Sequence, residues 1–242
     1  MLIRRAEHAR ARPVGDPSPS EIARVKSLRP WFLVAAMILT WLAGVHGVTT
    51  GCGTVMFLRG GALPDDATAI EAARSAADPV QGLMQYVPIA HLRAIGEATR
   101  AMLPVHLAKA MLGMVLVAAS AMVIAGRRGA RALIGQALAV SAVYSVIAYV
   151  VGRGVRDAWV DAVVRLAATL TLPPEAQDFG RANFWYWIAR TQLLVLELGV
   201  LGVAALAVGM PRSQAYLAAA EALEAQRDDE SPGRDDDDDD DA

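Results

Sequence analysis

Apolar positions along the chain gather into four long runs, 31–51, 105–126, 132–152 and 188–210, and not into the one-sided stripes of surface helices. Each run approaches the roughly 20 residues that cross a hydrocarbon core of about 30 Å at a rise of about 1.5 Å per residue. Backbone groups in lipid need partners within their own segment, so these runs predict helices that are apolar on all sides. The expected fold is an all-α integral membrane protein: a four-transmembrane-helix bundle with short helical extracytoplasmic loops and a disordered acidic C-terminal tail.

The stretches between the runs carry their own signals. Ser18-Pro19-Ser20-Glu21 reads as a capping box that opens a short helix ending near Leu28, ahead of Pro30. In the long segment 52–104, Pro64-Asp65-Asp66 leading into 67–77, and 88–102 closed by Pro104, read as short helices with proline boundaries. In the second long segment, 153–187, Val160, Val163, Val164 and Ala167 recur at helical spacing, and Pro173-Pro174 ends the pattern. Phe184-Trp185-Tyr186-Trp187 before the fourth run, with Trp31 at the start of the first, reads as an interfacial aromatic belt. The chain thus divides into a basic segment 1–30, a membrane domain 31–210 and a C-terminal part 211–242, in which a helix precedes the acidic tail.

Small residues recur at four-residue spacing within the runs: Ala36, Thr40 and Gly44; Ala137, Ser141 and Ser145; Ala205 and Gly209. Such faces let helices approach closely where lipid removes the hydrophobic drive, so tight packing within or between chains is expected.

Composition agrees with this reading. The chain is 55% hydrophobic and 20% charged, with a mean hydropathy of +0.34; a soluble domain has about 45–50% apolar and about 25% charged residues. The net charge of −2 conceals a division, since Asp228, Asp229, Glu230 and the run 235–241 place ten acids in the last fifteen residues. A block of like charges repels itself and stays disordered. Basic residues set orientation. The N-terminal segment, the link Arg127-Arg128-Gly129-Ala130-Arg131 and 211–227 carry 12 Lys and Arg in 52 positions, against 8 in 88 positions for the two long segments. Both termini are therefore expected in the cytoplasm. Arg outnumbers Lys 21 to 2, and with the abundance of Ala this reads as GC-rich bacterial coding, which places the protein in a bacterial inner membrane.

Cys52 is the single cysteine, which excludes an internal disulfide or a cysteine-only metal site in one chain. Thr49-Thr50-Gly51-Cys52 resembles a lipobox but has Thr where an apolar residue is needed, and is expected to be a plain interfacial cysteine.

Glu197 is the most informative residue. It lies about 13 Å inside the fourth run, too deep for a short carboxylate to reach the headgroups, and needs a partner. On the same scale Lys109 lies about 6 Å, His46 about 8 Å and Tyr144 about 12 Å from the same boundary, each on a different run. These four are expected to meet as an intramembrane polar cluster. His46 and His106 match a haem pair poorly, and no two His stand four apart as in a zinc helix, so no cofactor or metal is expected.

Nucleotide-binding glycine loops, GxSxG and HExxH are absent. Nucleic acid is not an expected partner, because the basic residues serve membrane orientation. The expected partners are the bilayer and further copies of itself or other membrane proteins. The leading expectation is a non-enzymatic structural or accessory subunit of a membrane assembly. The alternative is a small transporter or ion-coupled component that uses Glu197, Lys109, His46 and Tyr144.

Overall fold

A computed structural model describes residues 29–62 and 65–229. The capping box at Ser18, the helix expected before Pro30, the start at Pro64 and the aspartate run all lie outside the described residues. Within them the elements are helical: α1 (Trp31–Gly60), α2 (Asp66–Arg74), α3 (Pro79–Glu97), α4 (Thr99–Ala125), α5 (Ala130–Val151), α6 (Arg153–Ala167), a 3₁₀ turn Pro174–Gly180, α7 (Ala182–Gly209) and α8 (Pro211–Asp229). Four of these, α1, α4, α5 and α7, are long and apolar enough to cross a membrane.

Three of the four exceed their apolar runs. α1 continues to Gly60, α4 begins at Thr99 and α7 begins at Ala182. Polar residues such as Thr49, Arg59, Arg100 and Arg190 end the apolar run there without ending the helix. The proline boundaries are also placed differently. Pro88 lies inside α3 and Pro104 inside α4, where each loses one backbone hydrogen bond that the rest of the helix outweighs. The start signals are aspartates: Asp78 accepts from the Val80 N–H at 2.9 Å with Pro79 in the first turn, and Asp65 accepts from the Ala67 N–H at 3.2 Å.

The tightest seam is between α1 and α4. Gly44 and Gly47 face Gly113, and Gly51 faces Ala110, so closely that a Cβ on Gly113 would stand 2.6 Å from the Gly44 carbonyl oxygen. α5 lies beside α4, and α7 closes the ring against α1 and α5. The polar members of the seam satisfy themselves locally, as Thr40 donates to the Ala36 carbonyl at 2.8 Å. Of the small residues expected to pack, Ala36, Thr40, Gly44, Ala137, Ser141 and Ser145 are buried. Ala205 and Gly209 are exposed instead, on a groove between α5 and α7 that Gly135 and Gly202 also line. The buried face of α7 is displaced to Leu201, Ala204, Ala207 and Val208.

Two apolar cores stack along the bundle. The first, at the end holding the α4–α5 link, joins Met37, Leu116, Ile134 and Ala204 with Tyr216 and Leu217 of α8. The second, at the opposite or cap end, is built from α2, α3, α6 and the beginning of α7 around Leu83, Val160, Val163 and Trp185. At the link end, Gly126 and Gly129 take φ of +71° and +75°, left-handed values that favour glycine. Glu224 of α8 locks this turn, pairing with Arg127 at 2.9 Å and accepting the Arg128 N–H. The Arg127 hydrogen bond and the Arg128 N–H hold its carboxyl below the usual carboxylate range.

At the cap end, Tyr86 donates to Asp66 at 3.2 Å, and Arg93 pairs with the same carboxylate at 3.2 Å. Burial first, and then Asp66, push the Tyr86 phenol up. The aromatic run does not lie along one surface. Trp185 is buried, edge-on to Trp159 and Phe184, with its N–H donated to the Phe179 carbonyl at 2.8 Å. Phe184 packs on Phe179, and Tyr186 donates to Asp157 at 2.8 Å. Trp187 and Trp31 remain exposed, at 64% and 80%. A four-residue run on a helix must point around the axis, so one turn of aromatics serves both the core and the surface.

Candidate functional site

Between the two cores the bundle is not filled. Lys109 of α4 and Glu197 of α7 meet there, Nζ to Oε1, at 3.1 Å, with side chains 27% and 30% exposed. The two residues, 88 positions apart in the chain, form the central contact of the site.

The backbone under Glu197 is unusual. Gln192–Gly199 of α7 is π-helical, and none of its residues is buried. Hydrogen bonds from i to i+5 bring residues five apart towards one face, so Gln192 and Glu197 line the same cleft. Tyr144 of α5 forms a third wall, but its hydroxyl donates to the Val105 carbonyl of α4 and not to the ion pair. His46 of α1 is exposed and makes no side-chain hydrogen bond among the described residues. The structure therefore joins Lys109 to Glu197 directly, sets Tyr144 beside them and leaves His46 at the edge.

The unfilled space forms two cavities with a common wall. A cap-side cavity of about 340 Å³ and a link-side cavity of about 360 Å³ share Lys109, Tyr144, Ser145, Gln192 and Glu197. The link-side cavity is otherwise lined mostly by aliphatic groups of α1, α4 and α7, with His46 of α1 and Ser141 of α5 as its further polar residues. Its rim residues Leu42 and Leu196 are 50% and 62% exposed, so it opens between α1 and α7. The cap-side cavity is lined by His91 of α3, His106 of α4, and Arg156 and Trp159 of α6. His46 and His106 thus face different spaces.

Several of these residues carry no signal in the sequence. Arg156 looks like one more loop arginine, yet its guanidinium lies 3.7 Å from the centre of the Tyr149 ring and donates to the Tyr149 carbonyl. Trp159 donates to the Val87 carbonyl at 3.2 Å and meets His91 edge-on at 5.5 Å. His91 of α3 is exposed and lines the cap-side cavity. Crowding by protein, and then the Lys109 charge, lower its pKa. Both ring nitrogens of His106 are buried without a partner among the described residues. Gln192 was legible as a polar residue within an apolar run, but its alignment with Glu197 depends on the π geometry.

Among the described residues no group of three His, Cys, Asp or Glu is placed to hold a metal ion. The chain matches no protein-family model, no curated protein and no solved structure.

Proposed function

We propose that the protein is a non-enzymatic, multi-pass protein of a bacterial inner membrane, with both termini cytoplasmic, that acts as a small transporter or ion-coupled component. The observation that carries this reading is the Lys109–Glu197 pair as the shared wall of two cavities. An ionisable pair at membrane depth is costly, and one that lines a cleft is by default a candidate for a solute or ion pathway. In sequence the spans lack a Pro or Gly pair near the midplane, the usual mark of a carrier's broken helix. The π segment Gln192–Gly199 supplies a departure from α geometry at the same place, and such segments occur often at functional sites.

A second reading, the structural or accessory subunit, is favoured by the groove between α5 and α7. Gly202 and Gly209 have nothing within 4 Å of a built Cβ, and Ala205 beside them is exposed. Small residues facing outward suit contact with another helix.

One experiment separates the two. Purified wild type and Glu197→Gln are reconstituted into liposomes holding a pH-sensitive dye, and the external medium is acidified. The transport reading expects the wild type to acidify the lumen at least several-fold faster than the variant, with both eluting at the same mass. Wild-type vesicles no leakier than protein-free ones, with the variant dissociating from its assembly, would leave only the accessory reading.

A further inference from the structure

We infer that the cap-side cavity binds a small organic anion, a carboxylate on an apolar or aromatic body, with Arg156 as its principal charged contact. The inference names the solute class for the cleft proposed above and rests on that reading for its transport meaning, though not for binding itself.

The charge count points to an anion. Among the described residues, Lys109 and Arg156 are the basic side chains lining the cavity besides its two histidines, and Glu197 is its one carboxylate. Lys109 and Glu197 neutralise each other, so Arg156 leaves one positive charge unmatched. The acid next to it in sequence is engaged elsewhere, since Asp157 accepts from Tyr186 at 2.8 Å and lies 3.8 Å from Arg153. Arg156 is held by the Tyr149 ring and carbonyl. That contact fixes the guanidinium plane while leaving further N–H donors free among the described residues. A planar fork held in place is suited to a carboxylate, which it can bind through two parallel hydrogen bonds.

The remaining walls describe the rest of the ligand. Val87, Met102, Val105 and the Trp159 ring make part of them apolar and aromatic, which suits a ligand with an apolar body better than a small, strongly hydrated ion. His106 adds an independent sign. An imidazole with both nitrogens buried and unpartnered is rare in a folded protein, and this one belongs to a residue that lines the same cavity. A cavity of about 340 Å³ lies at the small end of the range for ligand pockets, which runs from about 300 to 1,000 Å³.

The test is calorimetric titration of the purified full chain in detergent with benzoate, and with benzylamine as the probe of opposite charge and similar shape. Saturable benzoate binding, at least tenfold tighter than any benzylamine binding, is expected. Arg156→Gln should weaken benzoate at least tenfold while leaving the elution volume unchanged. Equal or tighter binding of benzylamine by the wild type would overturn the inference whether or not the variant folds. So would benzoate affinity that Arg156→Gln leaves unchanged. Benzoate binding by a protein that shows no flux in the liposome assay keeps the anion site and removes the transport reading. Dye acidification without benzoate binding does the reverse.

Discussion

A half-buried ion pair stabilises a bundle only while both partners are present. Removing one leaves the other in a site that solvates it poorly, and that penalty exceeds the net worth of the pair. Lys109→Met should therefore lower stability by about 2 kcal/mol, and the double variant Lys109→Met/Glu197→Leu should recover part of that loss, as read by thermal unfolding in detergent. A double variant less stable than either single one would mean that the pair is worth more than its desolvation. His91 gives a pH prediction at the same scale. Its folded pKa is lowered from 6.5, so the unfolded chain binds the proton more readily and stability falls as pH drops below about 6.5. Between pH 7.5 and 5.5, His91→Gln should lose less thermal stability than the wild type. At this scale an isolated carboxylate in an apolar run announces the need for a partner, and of the three candidates at similar depth, Lys109, His46 and Tyr144, it is Lys109 that pairs with it. The sequence did not identify Arg156 or His106, whose significance comes from what α3 and α6 bring above them.

Helices carry information in what they lack. Gly113 gives α4 its close approach to α1, and a Cβ there would meet backbone atoms at 2.6 and 2.8 Å. Gly113→Ala should cost about 1–3 kcal/mol through overpacking. Gly53→Ala, on the same helix as Gly44 but with nothing within 4 Å, should be neutral or slightly stabilising because Ala is the better helix former. Comparing the melting temperatures of the two variants checks the seam directly. The latch between α8 and the α4–α5 link has its own signature. The depressed pKa of Glu224 means its contribution is complete above the ordinary carboxylate value of 4.5 and is lost as pH falls through its lower folded value. Glu224→Gln should accordingly make α8 easier to clip by protease near neutral pH, with the difference from wild type shrinking in acid. The four long helices were legible, since apolar runs of this length have few alternatives, whereas the 3₁₀ turn Pro174–Gly180 and the π segment Gln192–Gly199 were not. Element ends were not: Pro88 and Pro104 look like boundaries until the Asp78-Pro79 start is weighed against them. The register of Trp185 was hidden for a similar reason, because a run of four aromatics shows no preference for core or surface.

For the molecule as a whole, α1 has 30 residues and is about 45 Å long, against a hydrocarbon core of about 30 Å. In a bilayer of that thickness one end of α1 would emerge, and Leu58 near its C-terminal end packs against the cap core. The proposed orientation places this cap outside the cytoplasm. Cys52, exposed and the single cysteine of the chain, should then react with a membrane-impermeant maleimide in spheroplasts with intact membranes. Labelling only after lysis would invert the topology.

The separation of Lys109 and Glu197 in the chain sets an order on how the protein is made. Lys109 leaves the ribosome 88 residues before its partner, so the second span enters the bilayer carrying a charge that nothing yet neutralises. On the proposed topology the glycine seam with α1 is what would hold that span until α7 arrives. A chain truncated after α6 would keep its membrane-spanning hydrophobicity but carry an unmatched lysine, and should be removed by membrane proteolysis faster than the same truncation bearing Lys109→Leu.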